Sequence, residues 1–127
     1  MKNCLIVDDS STIRKIVRGM FEGFGFQCAE AENGQVAYDY CVGGRKPDLV
    51  MLDWNMPVMT GIDFIRKLSA SNMSSLPQVI FCTTESQMSF IEQALSAGAV
   101  DYIIKPFEKD MLRDKLVGLG LLEAADA

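Results

Sequence analysis

The chain has 127 residues, 49% of them apolar, a formal net charge of −5 and a pI near 4.6. That length suits one domain around a single core, and the apolar content is at odds with disorder. The acidic balance argues against a nucleic-acid surface, which needs clustered positive charge. Cys4, Cys28, Cys41 and Cys82 show no C-x-x-C spacing, and Cys4 and Cys82 fall inside apolar runs. Reduced thiols in a cytoplasmic protein are therefore expected, not a disulfide framework or a zinc site. The first apolar run is short and ends at Asp8, unlike a signal peptide, and no apolar segment approaches the ~20 residues that span a bilayer. The absence of histidine excludes histidine catalysis, histidine metal ligation and a phosphohistidine of the chain's own.

In chain order the pattern alternates strand and helix five times, the signature of a parallel sheet with crossover helices. A first strand is predicted from about Asn3 to Val7, stopping at Asp8. Ser10 or Ser11 offers an N-cap for a helix whose stripe is Ile13, Ile16, Val17, Met20, Phe21 and Phe24. Gly23 and Gly25 end it. A shorter, more polar strand over Gln27 to Ala31 suits a sheet edge. Asn33-Gly34 turns into a second helix with Val36, Ala37 and Tyr40, closed by Gly43-Gly44. The run Leu49-Val50-Met51-Leu52 fits a strand covered on both faces, since a half-exposed strand would alternate apolar with polar. It ends in Asp53. Gly61 opens a third helix with Ile62, Ile65 and Leu68 on one face. The fourth strand, Val79 to Cys82, ends in Thr83-Thr84. Met88, Ile91, Ala94 and Leu95 mark a fourth helix stopping at Gly98. A fifth strand, Tyr102-Ile103-Ile104, runs into Lys105-Pro106, and a last helix spans about Glu108 to Val117. Residues 1–122 are expected to form the domain and 123–127 a short frayed tail.

Strand ends carry the chemistry. Asp8 and Asp9 follow the first strand, Asp53 the third, Thr83 the fourth and Lys105 the fifth. Open α/β sheets collect ligands at that edge. A lone Asp at a strand end is ordinarily a solvated loop residue or a cap, a lone Lys before Pro is simply exposed, and a lone Thr is strand filler. Their coincidence at the same point of successive strand–helix units points to a site. Grouped carboxylates raise one another's pKa unless a cation neutralises them. With no histidine or cysteine beside them, Asp8, Asp9 and Asp53 suit a hard divalent ion, for which Mg2+ is the natural choice. Asp53 could then be a nucleophile toward phosphorus, with Lys105 and Thr83 meeting the phosphoryl oxygens.

Five motifs carry a resemblance over nearly the whole length: Leu5-Ile6-Val7-Asp8-Asp9-Ser10, Ser11-Thr12-Ile13-Arg14-Lys15-Ile16-Val17-Arg18, Asp53-Trp54-Asn55-Met56-Pro57, Ala97-Gly98-Ala99 and Lys105-Pro106-Phe107. The chain resembles a bacterial two-component response-regulator receiver domain, especially the single-domain chemotaxis (CheY-like) type. The resemblance implies a (βα)5 flavodoxin-like α/β fold with a doubly wound parallel sheet of order 2-1-3-4-5. It also implies a cis peptide between Lys105 and Pro106. By the same resemblance Asp53 would be the phosphoacceptor, Asp9 and Asp53 would ligate Mg2+ directly, Asn55 through its carbonyl and Asp8 through water. Lys105 would bind the phosphoryl group, Thr83 would turn toward it, and Tyr102 would rotate inward. Two departures stand out: Thr60 replaces a common Asp before Gly61, and Thr84 replaces a small residue after Thr83. Asn55 and Glu85 match the fast-hydrolysing chemotaxis proteins.

A receiver with no fused effector would act through a binding face, which in the family is formed by the fourth helix, fifth strand and fifth helix. Ile91, Leu95 and Tyr102 would be its apolar content, although Ile91 and Leu95 could equally be core residues by spacing alone. Phe90 widens that stripe, and Trp54 is expected to be a partly exposed lid over the site. The implied partners are a histidine kinase or histidine phosphotransfer protein and a phosphorylation-dependent protein target, with no nucleic acid and no membrane, the chain itself being a monomer. The alternative is a phosphoryl carrier or sink with no direct output. An enzyme in its own right, a metal-dependent phosphatase, would need a general acid where Asn55 stands. The chain is thus expected to catalyse only its own phosphorylation and dephosphorylation.

Overall fold

The computed structural model describes residues 2–54, 58–71, 76–84 and 88–123, excepting the side chains of 88–90. Asn55, Glu85, the Phe90 side chain and the tail from 124 lie outside the described residues. Five strands alternate with five helices: β1 Asn3–Val7, α1 Ser11–Gly23, β2 Gln27–Ala31, α2 Gly34–Val42, β3 Leu49–Asp53, α3 Gly61–Ser69, β4 Gln78–Thr83, α4 Met88–Ala97, β5 Asp101–Ile104 and α5 Lys109–Gly118. All strands pair in parallel in the order β2-β1-β3-β4-β5, the doubly wound flavodoxin-like arrangement. β2 takes the edge that its polar content suggested, and β4 is one residue longer at each end than its apolar run.

Helix starts are set locally. Ser10 Oγ accepts from the Ile13 N–H at 3.2 Å, Asn33 Oδ1 from Val36 at 2.9 Å, and Thr60 Oγ1 from Asp63 at 3.2 Å. Each satisfies an amide that the first turn leaves without an intrahelical acceptor. Thr60 therefore caps α3 as an Asp would. Gly98, at φ 120°, lets the chain leave α4 in a backbone region that side-chain-bearing residues avoid.

Side chains alternate across each strand, so the sheet feeds two cores. Cys4, Ile6, Leu49, Met51, Ile80, Cys82 and Ile103 meet Val17 and Phe21 of α1 and Leu112 and Leu116 of α5. Leu5, Val7, Val50, Leu52, Val79 and Phe81 meet α2, α3 and α4 through Ala37, Cys41, Phe64, Ile65, Leu68 and Ala94. Each fully buried Leu, Ile or Phe contributes about 1.5–3 kcal/mol relative to exposure. The predicted stripe of α1 is narrower than its spacing suggested. Ile16 is 53% exposed and Val36 of α2 is 41% exposed, because each lies at the margin of its helix's packed face. Among the described residues, no helix is long and apolar enough to cross a membrane.

Candidate functional site

Register brings the predicted residues together. Val7 is the partner of Leu52, so the next row of the sheet holds Asp8 beside Asp53. Backbone bonds carry the pairing past the strand ends: Asp8 N–H donates to Ala31 O at 3.1 Å, Trp54 N–H to Cys82 O at 3.1 Å, and Lys105 N–H to Thr83 O at 2.7 Å. By strand alternation Asp8 continues the face of Cys4 and Ile6, Asp53 that of Leu49 and Met51, and Lys105 that of Ile103. All three emerge at the rim of the core formed with α1 and α5.

Lys105 Nζ donates to Asp8 Oδ2 at 2.8 Å and to Asp53 Oδ1 at 3.0 Å. One carboxylate oxygen from each of Asp8, Asp9 and Asp53 lies within 4.8 Å of the others. Asp8 is buried, Asp53 half-buried and Asp9 exposed, so the cluster opens to solvent on the Asp9 side. Three carboxylates against one ammonium leave a local excess of negative charge. Burial pushes the Asp53 carboxyl above its ordinary value, with Lys105 opposing the shift and Asp8 and Asp9 adding to it. Burial would lower the Lys105 value, but its bonds to Asp8 and Asp53 outweigh that and leave it raised. A cluster of hard oxygens with surplus negative charge and one open side fits a divalent cation that keeps part of its water shell.

The other residues fall where alternation sends them. Thr83 is buried and continues the opposite face, that of Val79 and Phe81. Tyr102, the partner of Phe81 across β4 and β5, lies on the same side and is partly buried. Lys115 Nζ sits 4.7 Å from the Tyr102 ring centroid and 3.1 Å from Asp101 Oδ1, tying α5 to β5. Trp54 is half-buried, with its ring centroid 5.1 Å from that of Phe81, so it packs onto the core that holds Phe81, on the face opposite Asp53. Leu95 is 45% exposed and Ile91 partly so, which places Leu95 on the surface and not in the core.

Other supports were not anticipated. Asp8 Oδ1 accepts from the Ser10 N–H at 2.9 Å, and the Asp8 carbonyl accepts from Arg14 Nη1 at 2.6 Å. Arg14 Nε in turn donates to Glu30 at 2.9 Å, and Arg18 Nη1 to the other oxygen of Glu30 at 2.9 Å. The sequence carries Glu30 in β2 and two arginines four residues apart on α1, but only the packing of α1 on β2 brings them together. Glycine closes the other side: a Cβ on Gly61 would stand 2.8 Å from the Asp53 carbonyl oxygen and 2.5 Å from Phe81.

Known proteins resemble this chain over most of its length. The profile of the response regulator receiver domain matches residues 4–117. Chemotaxis protein CheY1 of Helicobacter pylori is 37% identical over 113 residues, covering 88% of this chain and 91% of that protein. The phosphate regulon transcriptional regulatory protein PhoB of Pseudomonas aeruginosa is 41% identical over 106 residues, 84% of this chain but 46% of that protein. Among solved structures, the chemotaxis response regulator CheY4 of Vibrio cholerae superposes with a TM-score of 0.85 at 28% identity, over 94% of this chain and 98% of that one. Relatives with differently named outputs meet this chain over nearly the same stretch. What they share with it is the receiver, and the chain belongs to the response regulator receiver domain family.

Proposed function

We propose that Asp53 accepts a phosphoryl group, in a magnesium-dependent reaction, from a phosphohistidine on a separate histidine kinase or histidine phosphotransfer protein. The modified chain then favours a conformation with altered affinity for a protein target. The observation that carries this reading is the grip of one ammonium, Lys105 Nζ, on both Asp8 and Asp53, at 2.8 and 3.0 Å. An Asp53 oxygen attacks phosphorus, the P–N bond breaks, and its electron pair stays on the departing imidazole. Lys105 then pairs with the phosphoryl oxygens as their charge arrives, while burial of the site strengthens that attraction. Bound magnesium, held by Asp8, Asp9 and Asp53 with the Asn55 carbonyl, would supply further positive charge to those oxygens.

A phosphoryl group adds roughly two negative charges and acts by favouring one of two conformations. Thr83 would bind one of its oxygens and Tyr102 would follow inward, altering the face of α4, β5 and α5 that carries Ile91, Leu95 and Tyr102. The exposure of Leu95 supports that face as a contact surface.

The direct test is labelling with acetyl phosphate in the presence of magnesium. Wild-type protein should take up about one phosphoryl group, and Asp53→Ala should take up none while keeping its circular dichroism spectrum. Label persisting on the variant would move the acceptor elsewhere. Capture of a target that strengthens when the protein is loaded with beryllofluoride supports the switched output. Exchange with a histidine phosphotransfer protein and no such capture supports a carrier or sink.

A further inference from the structure

Residues 58–61 pass two closely packed glycines, Gly34 at the start of α2 and Gly61 at the start of α3. Val58 has φ 71°, a left-handed conformation costly for a β-branched residue, and its side chain is 81% exposed. Such a conformation persists only where its surroundings over-determine it. Met59 packs against the first residue of α2, where a Cβ built on the buried Gly34 would stand 2.8 Å from the Met59 carbonyl oxygen, 2.9 Å from its Cβ and 3.0 Å from its Cγ. Two residues on, Gly61 lies against the Asp53 carbonyl and Phe81, and its N–H donates to the Trp54 carbonyl at 3.4 Å.

We infer that Gly34 is a positioning residue for the acceptor: it seats Met59, and through Met59, Thr60 and Gly61 it holds the main chain of Asp53 in place. The inference rests on the phosphoacceptor reading of Asp53. Its chemistry is steric. A backbone carbonyl cannot swing aside as the tip of a flexible side chain can, so any side chain at position 34 must displace Met59. Met59 is joined through Thr60, the cap of α3, to the contact that supports Asp53 from behind. Displacements of about 1 Å in supporting structure can cost up to ~100-fold in rate, because the reacting oxygen leaves its attack geometry.

The test compares acetyl phosphate labelling of wild-type protein, Gly34→Ala and Gly19→Ala. Gly19 is an exposed residue of α1 with no heavy atom within 4 Å of a built Cβ, so it controls for the glycine-to-alanine change itself. Gly34→Ala should lower the labelling rate at saturating magnesium and donor by about tenfold or more. Gly19→Ala should label at the wild-type rate. A merely structural role would lower the melting temperature of Gly34→Ala and leave the saturated rate per folded molecule unchanged, which overturns the inference. Met59→Ala keeps the glycine and removes the Cγ side of the contact; it should fold and slow saturated labelling several-fold. Wild-type labelling by Met59→Ala overturns the inference if Gly34→Ala fails to fold. Failure of wild-type protein to label at all refutes the acceptor reading itself, so the two failures are distinct.

Discussion

Lys105 stands between two carboxylates that would otherwise face each other across the sheet edge, and its removal should be felt before any phosphoryl group arrives. Breaking a buried pair by deleting one partner costs about 3 kcal/mol or more, because the remaining charge loses its compensation. Lys105→Ala should therefore unfold at lower urea than wild-type protein in EDTA. Millimolar magnesium should return more stability to the variant than to the wild type, since an ion held at Asp8, Asp9 and Asp53 would supply the missing positive charge. The Lys105 value is raised in the folded state, so its contribution is complete below the ordinary lysine value of about 10.4 and is lost as pH climbs through the folded one. The stability gap between wild type and variant should hold to about pH 10 and close above it. Equal magnesium responses in the two proteins would show that the ammonium does not neutralise the cluster.

Between elements, the joint of α1 with β2 is ionic where most joints of this fold are apolar. Glu30 accepts from Arg18 Nη1 and Arg14 Nε, each at 2.9 Å, and the hydrogen bond from Arg18 is the chief cause holding its carboxyl below the usual range. Arg14 also grips the Asp8 carbonyl, so this joint reaches the candidate site. A depressed carboxyl stabilises the fold above its unfolded value and ceases to as pH falls through the folded one. Glu30→Gln should cost up to about 1 kcal/mol at neutral pH, a loss that shrinks in high salt. Wild type and variant should converge below pH ~4.3, as that contribution disappears. Urea midpoints measured between pH 3 and pH 7 decide it; a constant gap across that range would remove Glu30 as the titrating group.

At the level of the whole molecule, two cores lie back to back on one sheet, and β1, β3 and β4 contribute to both. Neither helical layer can leave without exposing strands that the other layer needs. The chain should thus unfold in a single cooperative step, with Trp54 fluorescence and far-ultraviolet circular dichroism tracing the same urea transition. Trp54 reports on the side shared with Phe81, while the helical signal comes from both layers. Separate midpoints would mean that the layers come apart independently.

The sequence by itself determined the elements and the ends that matter. Cys4–Val7 and Leu49–Leu52 are apolar throughout because strands covered on both faces have no polar side to show, and their last residues mark where cover ends. The cap at Ser10 was equally legible, whereas Asn33 and Thr60 are seen as caps only from the amides they bond three residues away. What the tertiary structure decided is which distant residues share a face and how closely they approach. Pairing register puts Asp8, Asp53 and Lys105 on one side of the sheet and Thr83 and Tyr102 on the other, and spacing within a single element carries no record of register. Helical periodicity put Ile16 in the stripe of α1, but only the extent of the packed neighbours leaves it exposed. The grip of Arg14 on Asp8 and the glycine seats at 34 and 61 are contacts between separate segments, created by packing that no local pattern encodes.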